Sequence, residues 1–149
     1  MSRAFVKEIA ESAPPPERMV EDGPNPVTPE GMAQIDGHIA RLDAAMATET
    51  NPLLRETLAR DLRYWSLRKA TAELATPPAS GAVAFGSSVA IRRGGRRQSF
   101  RIVGVDEADA ARGLISFKSP LAQALLGAGP GEVIEAAPPL GEITVLETG

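Results

Sequence analysis

Apolar positions along this chain change their period once, and the change divides it. Met32, Ile35, Ile39, Leu42 and Met46 recur in alternating steps of three and four, which places them on one stripe of a helix. The stripe is narrow, an a/d seam suited to one partner helix rather than to a broad core. Thr28-Pro29-Glu30 opens this helix with a capping hydroxyl, a proline in the first turn and a carboxylate near the positive end of the helix dipole. Ala47-Thr48-Glu49-Thr50 interrupts the seam. Asn51-Pro52 then restarts a helix by the same device, with Leu54, Leu58, Leu62, Trp65 and Ala72 on its apolar side and its end before Pro77-Pro78. So short a connection makes the helices antiparallel neighbours, a hairpin whose first arm is about 28 Å long at ~1.5 Å per residue.

From Gly81 onward the pattern alternates with a period of two. Residues 88–92 and 98–103 read as strands around a Gly94-Gly95 turn, and 114–117, 133–136 and 142–146 as three more. Between them Ser119-Pro120-Leu121-Ala122-Gln123-Ala124-Leu125-Leu126-Gly127 is a short helix, with Ser119 as cap, Pro120 at its first position and Gly127 at its end. The expected fold is α+β: an N-terminal antiparallel helical hairpin, then a small antiparallel sheet with one short helix. Residues 1–27 hold Pro14, Pro15, Pro16, Pro24 and Pro26 and read as a flexible arm, either a plain tail or a partner-binding segment. The expected boundaries are 1–27 arm, 28–76 hairpin, 77–82 linker and 83–147 C-terminal domain.

Composition narrows the classes. Hydrophobic residues make up 43% of the 149 but aromatics only 4%, so the core is aliphatic. A formal charge of −3 argues against coating nucleic acid by bulk electrostatics. The absence of cysteine excludes disulfides and thiolate metal sites. No apolar run approaches the roughly 20 residues that cross a bilayer, and 1–8 lack a signal-like apolar region. A cytoplasmic protein with no membrane partner is expected.

Ile102-Val103-Gly104 with Asp106-Glu107-Ala108-Asp109, then Ile115-Ser116 and Ser119-Pro120-Leu121-Ala122, follow Phe85-Gly86-Ser87-Ser88-Val89 and Thr28-Pro29-Glu30-Gly31 in order. This ordered series, from about Val27 to Leu146, resembles the GreA/GreB transcription elongation factor family. The resemblance implies an N-terminal antiparallel coiled coil and an FKBP-like C-terminal domain. It implies that the globular domain docks at the rim of RNA polymerase's secondary channel while the coil enters it. Two acidic residues at the family's coil tip help hold the second magnesium ion with which the polymerase cleaves backtracked transcript. On this chain the resemblance implies a docking surface of Asp106, Glu107, Asp109, Phe117, Ser119, Pro120 and Ala122. It implies RNA polymerase core or the elongation complex as partner, and a regulator rather than an enzyme. No cofactor, bound metal or small-molecule substrate is expected.

The tip departs from the family's pattern, a Gly-Asp-Leu run followed by Glu-Asn. Here Ala47-Thr48-Glu49-Thr50-Asn51 carries one carboxylate, Glu49, and Glu56 lies more than a turn inside the second helix. One mobile carboxylate is a poor site for a hard divalent cation. The hairpin is also shorter than the family's by several turns per helix. Both departures predict polymerase binding with weak or no cleavage stimulation, similar in plan to the short-coil regulators of nucleoside diphosphate kinase.

Other readings stand beside this one. Asp106-Glu107-Ala108-Asp109 spells a helicase signature, but no Gly-rich phosphate loop ending in Lys-Ser/Thr accompanies it, so the run reads as a solvated loop or as part of the docking surface. Pro120 and Ala122 also suit a purely local role in cap and packing. Arg92, Arg93, Arg96 and Arg97 concentrate charge on one hairpin end, suited to phosphate, to an acidic partner or simply to solvent. Arg55, Arg60 and Arg63, with Arg68 and Lys69, form a basic side of the second helix, suited to transcript contact or to solubility and pairs such as Glu56–Arg60. His38, the one histidine, has no second metal ligand near it in sequence and reads as a surface or packing residue. Tyr64 and Trp65 read as packing residues. Prolyl isomerisation needs a ring of aromatics, and the C-terminal domain offers Phe85, Phe100 and Phe117.

Overall fold

A computed structural model describes residues 15–78 and 81–149. The expected arm therefore lies outside the described residues over 1–14, and the expected linker over 79–80. The described residues divide into two compact units, one comprising 15–24 with Ala33–Thr71, the other Asn25–Met32 with the described part of Ala72–Gly149.

The first unit is built on a helical hairpin of α1 (Pro29–Thr48, whose first turn belongs to the second unit) and α2 (Pro52–Thr71). Contacts between them run in reverse order. Lys69 Nζ lies 2.7 Å from Asp36 Oδ1, His38 stacks on Trp65 with ring centroids 4.0 Å apart, and Arg55 reaches the end of α1. The helices are therefore antiparallel, and the pattern of apolar residues explains why. Ile35 and Trp65 are buried, while Ile39, Leu42, Met46, Leu58 and Leu62 are half-buried, as a narrow seam requires. Leu54 departs from expectation at 52% exposed, because it sits in the first turn of α2, where the partner helix is ending. Residues 15–24 are irregular but not free: Glu17 pairs with Arg63, and the Arg18 guanidinium lies 3.8 Å from the Tyr64 ring centroid.

The second unit holds two sheets. Its smaller sheet is a parallel pair, β1 (Asn25–Val27) and β2 (Ala72–Leu74), with Asn25 opposite Ala72 and Val27 opposite Leu74. Neither strand was expected: β1 falls in the proline-rich arm, and β2 replaces the last residues read as helix. The larger sheet contains β3 (Ser88–Arg93), β4 (Arg96–Val103), β5 (Leu114–Ser116), β6 (Val133–Ala136) and β7 (Gly141–Thr148), in the order β5-β4-β3-β7-β6. It is mixed rather than antiparallel, because β5 runs parallel to β4. Residues 104–113 make that crossover through two 3-10 turns, Val105–Glu107 and Ala110–Arg112. Helix α3 (Pro120–Leu125) seats Ala122 and Leu125 on the sheet, where they meet Ile91, Ile102, Ile143 and Val145 in an aliphatic core. Ser119 caps α3 through its hydroxyl, which accepts from the Ala122 N–H at 3.2 Å.

A buried polar cluster ties the start of α1 to the first 3-10 turn. Thr28 is the N-cap, accepting from Gly31 N–H at 3.0 Å, and is 1% exposed. The buried Glu107 carboxylate accepts from Thr28 N–H and Gly104 N–H, each at 3.1 Å, and from the Thr28 hydroxyl. In a capping box the helix's own third residue supplies that carboxylate. Here the third residue is Gly31, and Glu107 replaces it from 79 residues away. A methyl group on Gly31 would land on the Glu107 carboxylate, and one on Gly104 would meet Pro26 O at 2.6 Å. Both glycines keep the space that the buried carboxylate occupies.

Two outcomes test this account. Gly31→Ala is expected to destabilise the fold by about 1–3 kcal/mol, since it overfills a packed polar site. In a Glu107→Ala background most of that cost should vanish, a coupling readable by denaturant melts of the four-member cycle. Ser119→Ala, by contrast, should cost about 1 kcal/mol whatever occupies position 107.

Candidate functional site

The residues expected to dock fall into three groups. Glu107 and Ala122 are inside: the carboxylate of the first is committed to Thr28 and Gly104, and the second is fully buried in the aliphatic core. Neither offers an exposed side chain, Ala122 being 0% and Glu107 8% exposed. Ser119 is half-buried and its hydroxyl serves as the α3 cap. Asp109 and Pro120 are exposed, and Asp106 and Phe117 are half-buried. The Asp109 backbone exchanges hydrogen bonds with Leu114 at 2.8 and 3.0 Å, which fixes the loop before β5.

Phe117 is held from three sides. Its N–H donates to Val103 O at 2.9 Å, its carbonyl accepts from Gln123 Nε2 at 2.6 Å, and its ring meets Phe85 edge-on at 5.9 Å. Pro120 forms one wall of an apolar groove of about 380 Å³ with Ala124, Ile134, Ala136 and Leu140. This part of the second unit thus offers a fixed aromatic, an exposed proline and an apolar groove. Gln123 is an addition that spacing alone did not single out, and Phe85, already noted among the aromatics of this domain, packs on Phe117.

At the hairpin tip Glu49 is half-buried, and its Oε1 accepts from Asn51 N–H at 3.0 Å. Asn51 in turn caps α2, accepting from Leu53 and Leu54 N–H at 3.0 and 3.2 Å. Arg55 Nη1 donates to Met46 O at 2.7 Å and Glu49 O at 2.8 Å, pairing carbonyls that the end of α1 leaves open. The tip is a closed set of caps. Among the described residues no three His, Cys, Asp or Glu side chains gather as a metal site would need.

The basic side of α2 is spent within the same unit. Arg60 bonds Asp61 at 2.9 and 3.1 Å rather than forming the expected pair with Glu56, and Arg63 pairs with Glu17. His38 Nδ1 lies 2.6 Å from Arg41 Nη2 while its ring lies flat on Trp65. At the β3–β4 turn, Arg92, Arg96 and Arg97 are exposed and Arg93 is half-buried. Among the described residues no helix is long and apolar enough to cross a membrane.

Two exposed carboxyls titrate low. Glu30 is held below the ordinary carboxylate range first by a hydrogen bond from its own backbone N–H, then by Arg101, whose Nη2 donates to it at 3.2 Å. Glu17 is lowered chiefly by its hydrogen bond from Arg63. Carboxylates lowered in the fold stabilise it above their unfolded value, and that contribution is lost as pH falls through the lowered value. Arg63→Gln should therefore return Glu17 most of the way to its ordinary value. Arg101→Gln should return Glu30 only in part, because its leading cause stays; a carboxyl NMR titration reads both.

One unit is a helical hairpin whose connection carries one acidic side chain, and the other sets a capped short helix on a mixed five-stranded sheet, which together make the chain α+β. Residues 78–147 match the family model described as "Transcription elongation factor, GreA/GreB, C-term". This domain is therefore similar to the C-terminal domain of the GreA/GreB transcription elongation factors. It is 41% identical over 66 residues to transcription elongation factor GreA of Alkalilimnicola ehrlichii, a match covering 43% of this chain and 42% of that protein. It is 39% identical over 93 residues to GreB of Neisseria meningitidis, covering 58% and 57%. With GreA of Jannaschia sp. the identity is 27% over 140 residues, covering 78% and 90%. The match thus spans about two fifths of the first of these relatives. Among solved structures, GreA factor homolog 1 (Gfh1) of Thermus thermophilus is similar at a TM-score of 0.41 and 18% identity, covering 85% of this chain and 99% of that one. A GreA/GreB factor from Nitrosomonas europaea is similar at 0.40 and 22%, covering 85% and 98%.

Proposed function

We propose that this chain is a transcription elongation regulator that binds RNA polymerase at its secondary channel and stimulates transcript cleavage weakly or not at all. The carrying observation is the Gre-type C-terminal domain of residues 78–147. In this reading that domain, FKBP-like in plan and bounded at 83–147, is the anchor, and the hairpin is a short probe. An arm of 1–27 and a linker of 77–82 complete the division. The protein works in the cytoplasm as a modulator of another enzyme's active site, without catalysis of its own.

Docking then falls to the side chains that reach the surface. Pro120 and Phe117 supply apolar contact, with Asp106 and Asp109 as an acidic margin; Ser119 acts by holding the helix that presents Pro120. The tip supports the weak-cleavage half of the reading. A second magnesium ion is retained by oxygens placed together, and the Glu49 carboxylate is already accepting from Asn51 N–H. Arg55, Arg60 and Arg63 each have an internal partner, which favours a structural role over transcript contact.

A transcript-cleavage assay on stalled elongation complexes tests both halves. The protein alone is expected to release little or no product. Added in excess over a full-length Gre factor, it should lower that factor's cleavage at least several-fold, and Pro120→Asp should abolish the competition. Robust cleavage by the protein alone would overturn the tip argument, and absence of competition would overturn the anchor.

A further inference from the structure

On one side of β4, β3 runs opposite Arg96–Arg101, whereas on the other β5 covers only Arg101–Val103. Residues 96–100 are therefore an open edge within the sheet. Backbone groups face the two sides of a strand at alternate residues, and Arg101 N–H donates to Gly113 O at 2.8 Å on the β5 side. Arg97 and Ser99, at alternate positions of the same strand, turn their backbone groups the same way. Both are exposed, and among the described residues no backbone partner meets them there. The opening ends at Gly113. A methyl group there would stand 3.1 Å from Ser99 O, so the crossover already lies against that carbonyl. Arg97 N–H, Arg97 C=O and Ser99 N–H remain without a strand to pair with.

This edge is also strongly positive. Register sets Arg92 opposite Arg97 and Arg93 opposite Arg96, so four guanidinium groups crowd the turn end of the two strands. Relief from within is slight. Glu147 lies 3.4 Å from Arg97, with both side chains more than half exposed, and Glu142 lines a groove with Arg93 and Arg96 but comes within 4 Å of neither. Contacts so exposed contribute little. Charge on an edge strand keeps like edges apart, and a second copy would set its own arginines against these. The same charges leave the edge open to a strand of opposite sign.

We propose that residues 96–100 take up an extended acidic segment of a partner protein as an added strand. Backbone hydrogen bonds to Arg97 and Ser99 hold it on the edge, and Arg96 and Arg97 select its charge. The occupant follows from what each open group needs. Arg97 C=O needs a donor, while Arg97 N–H and Ser99 N–H need acceptors. An extended peptide backbone supplies both kinds at the spacing of a strand. Phosphate groups answer the charge but donate no hydrogen bond, so they leave the carbonyl unpaired. The added strand is short, because β5 takes over the same edge from Arg101. It lies in line with β5 rather than beside it.

Titration of the full chain with a blocked hexapeptide alternating glutamate and threonine, followed by NMR of the backbone amides, tests it. Binding is expected with a Kd of about 0.1–1 mM at low salt, weakening as sodium chloride rises. Near saturation the Arg97 and Ser99 amides should exchange with solvent about tenfold more slowly. Gln98, whose N–H faces β3, should not change. A fully N-methylated hexapeptide keeps the charge but has no backbone donor, and it should not bind; nor should the peptide with lysine in place of glutamate. R96A/R97A should weaken binding roughly fivefold, and R92A/R93A, on the strand behind the edge, by roughly twofold or less. Far-UV circular dichroism checks that both variants are folded. No binding of the acidic peptide up to about 3 mM, equal binding of the N-methylated or lysine peptide, unchanged exchange at Arg97 and Ser99, or equal losses in the two double variants would each overturn the proposal. The titration contains no polymerase, so its failure and that of the polymerase reading are separate results.

Discussion

A single buried carboxylate fixes the first turn of α1 within the second unit. Glu107 accepts two backbone N–H groups and a hydroxyl, and all three donors would be costly to bury alone. Removing the carboxylate would orphan Thr28 N–H and Gly104 N–H inside the protein; removing the donors would strand a buried charge. Gly31 and Gly104 leave the volume, Thr28 supplies the donors, and the first 3-10 turn aims the side chain. These residues form one device, and their identities follow from one another rather than from their separate positions in the chain.

The same device shows where reading the sequence succeeds and fails. Periodicity located the two long helices, the strands of the larger sheet and α3 because each signal lies within one segment: a stripe, an alternation, a cap followed by proline. Glu107 gave no such signal. It sits in an acidic run that looks solvated, and its partners are distant in sequence. Gly31 was the available hint, since a glycine stands where a capping box wants a glutamate or glutamine. The β1–β2 pair was hidden for a related reason. Its strands are three residues long, one contains Pro26, and each is recognisable only beside the other. β5 reads as a strand, but its direction depends on a crossover through short turns that carry no periodicity.

The candidate surfaces sort by a comparable rule. A residue that satisfies a local structural need is a weaker prospect for recognition, and the structure divides the expected set on that basis. Ala122 is core and Ser119 is a cap, while Arg55, Arg60 and Arg63 have internal partners. What remains is a short surface near Phe117 and Pro120 and a cluster of guanidinium groups at the β3–β4 turn. Sequence placed Pro120 at a helix start, Phe117 at a strand end and the arginines around a turn, but burial and pairing were needed to separate the residues that face outward from those that do not.

The parallel pairing of Asn25–Val27 with Ala72–Leu74 has a consequence for how such chains can vary. Everything in 28–71 is an excursion between two clasped strands, and the clasp depends on the ends of the excursion rather than on its length. Closing a longer loop adds little entropic cost, since the penalty grows only as a logarithm. Whole helical turns could therefore be added to or removed from both arms at once while the second unit keeps its packing unchanged. Arm length becomes an adjustable quantity, independent of the strands that close the excursion.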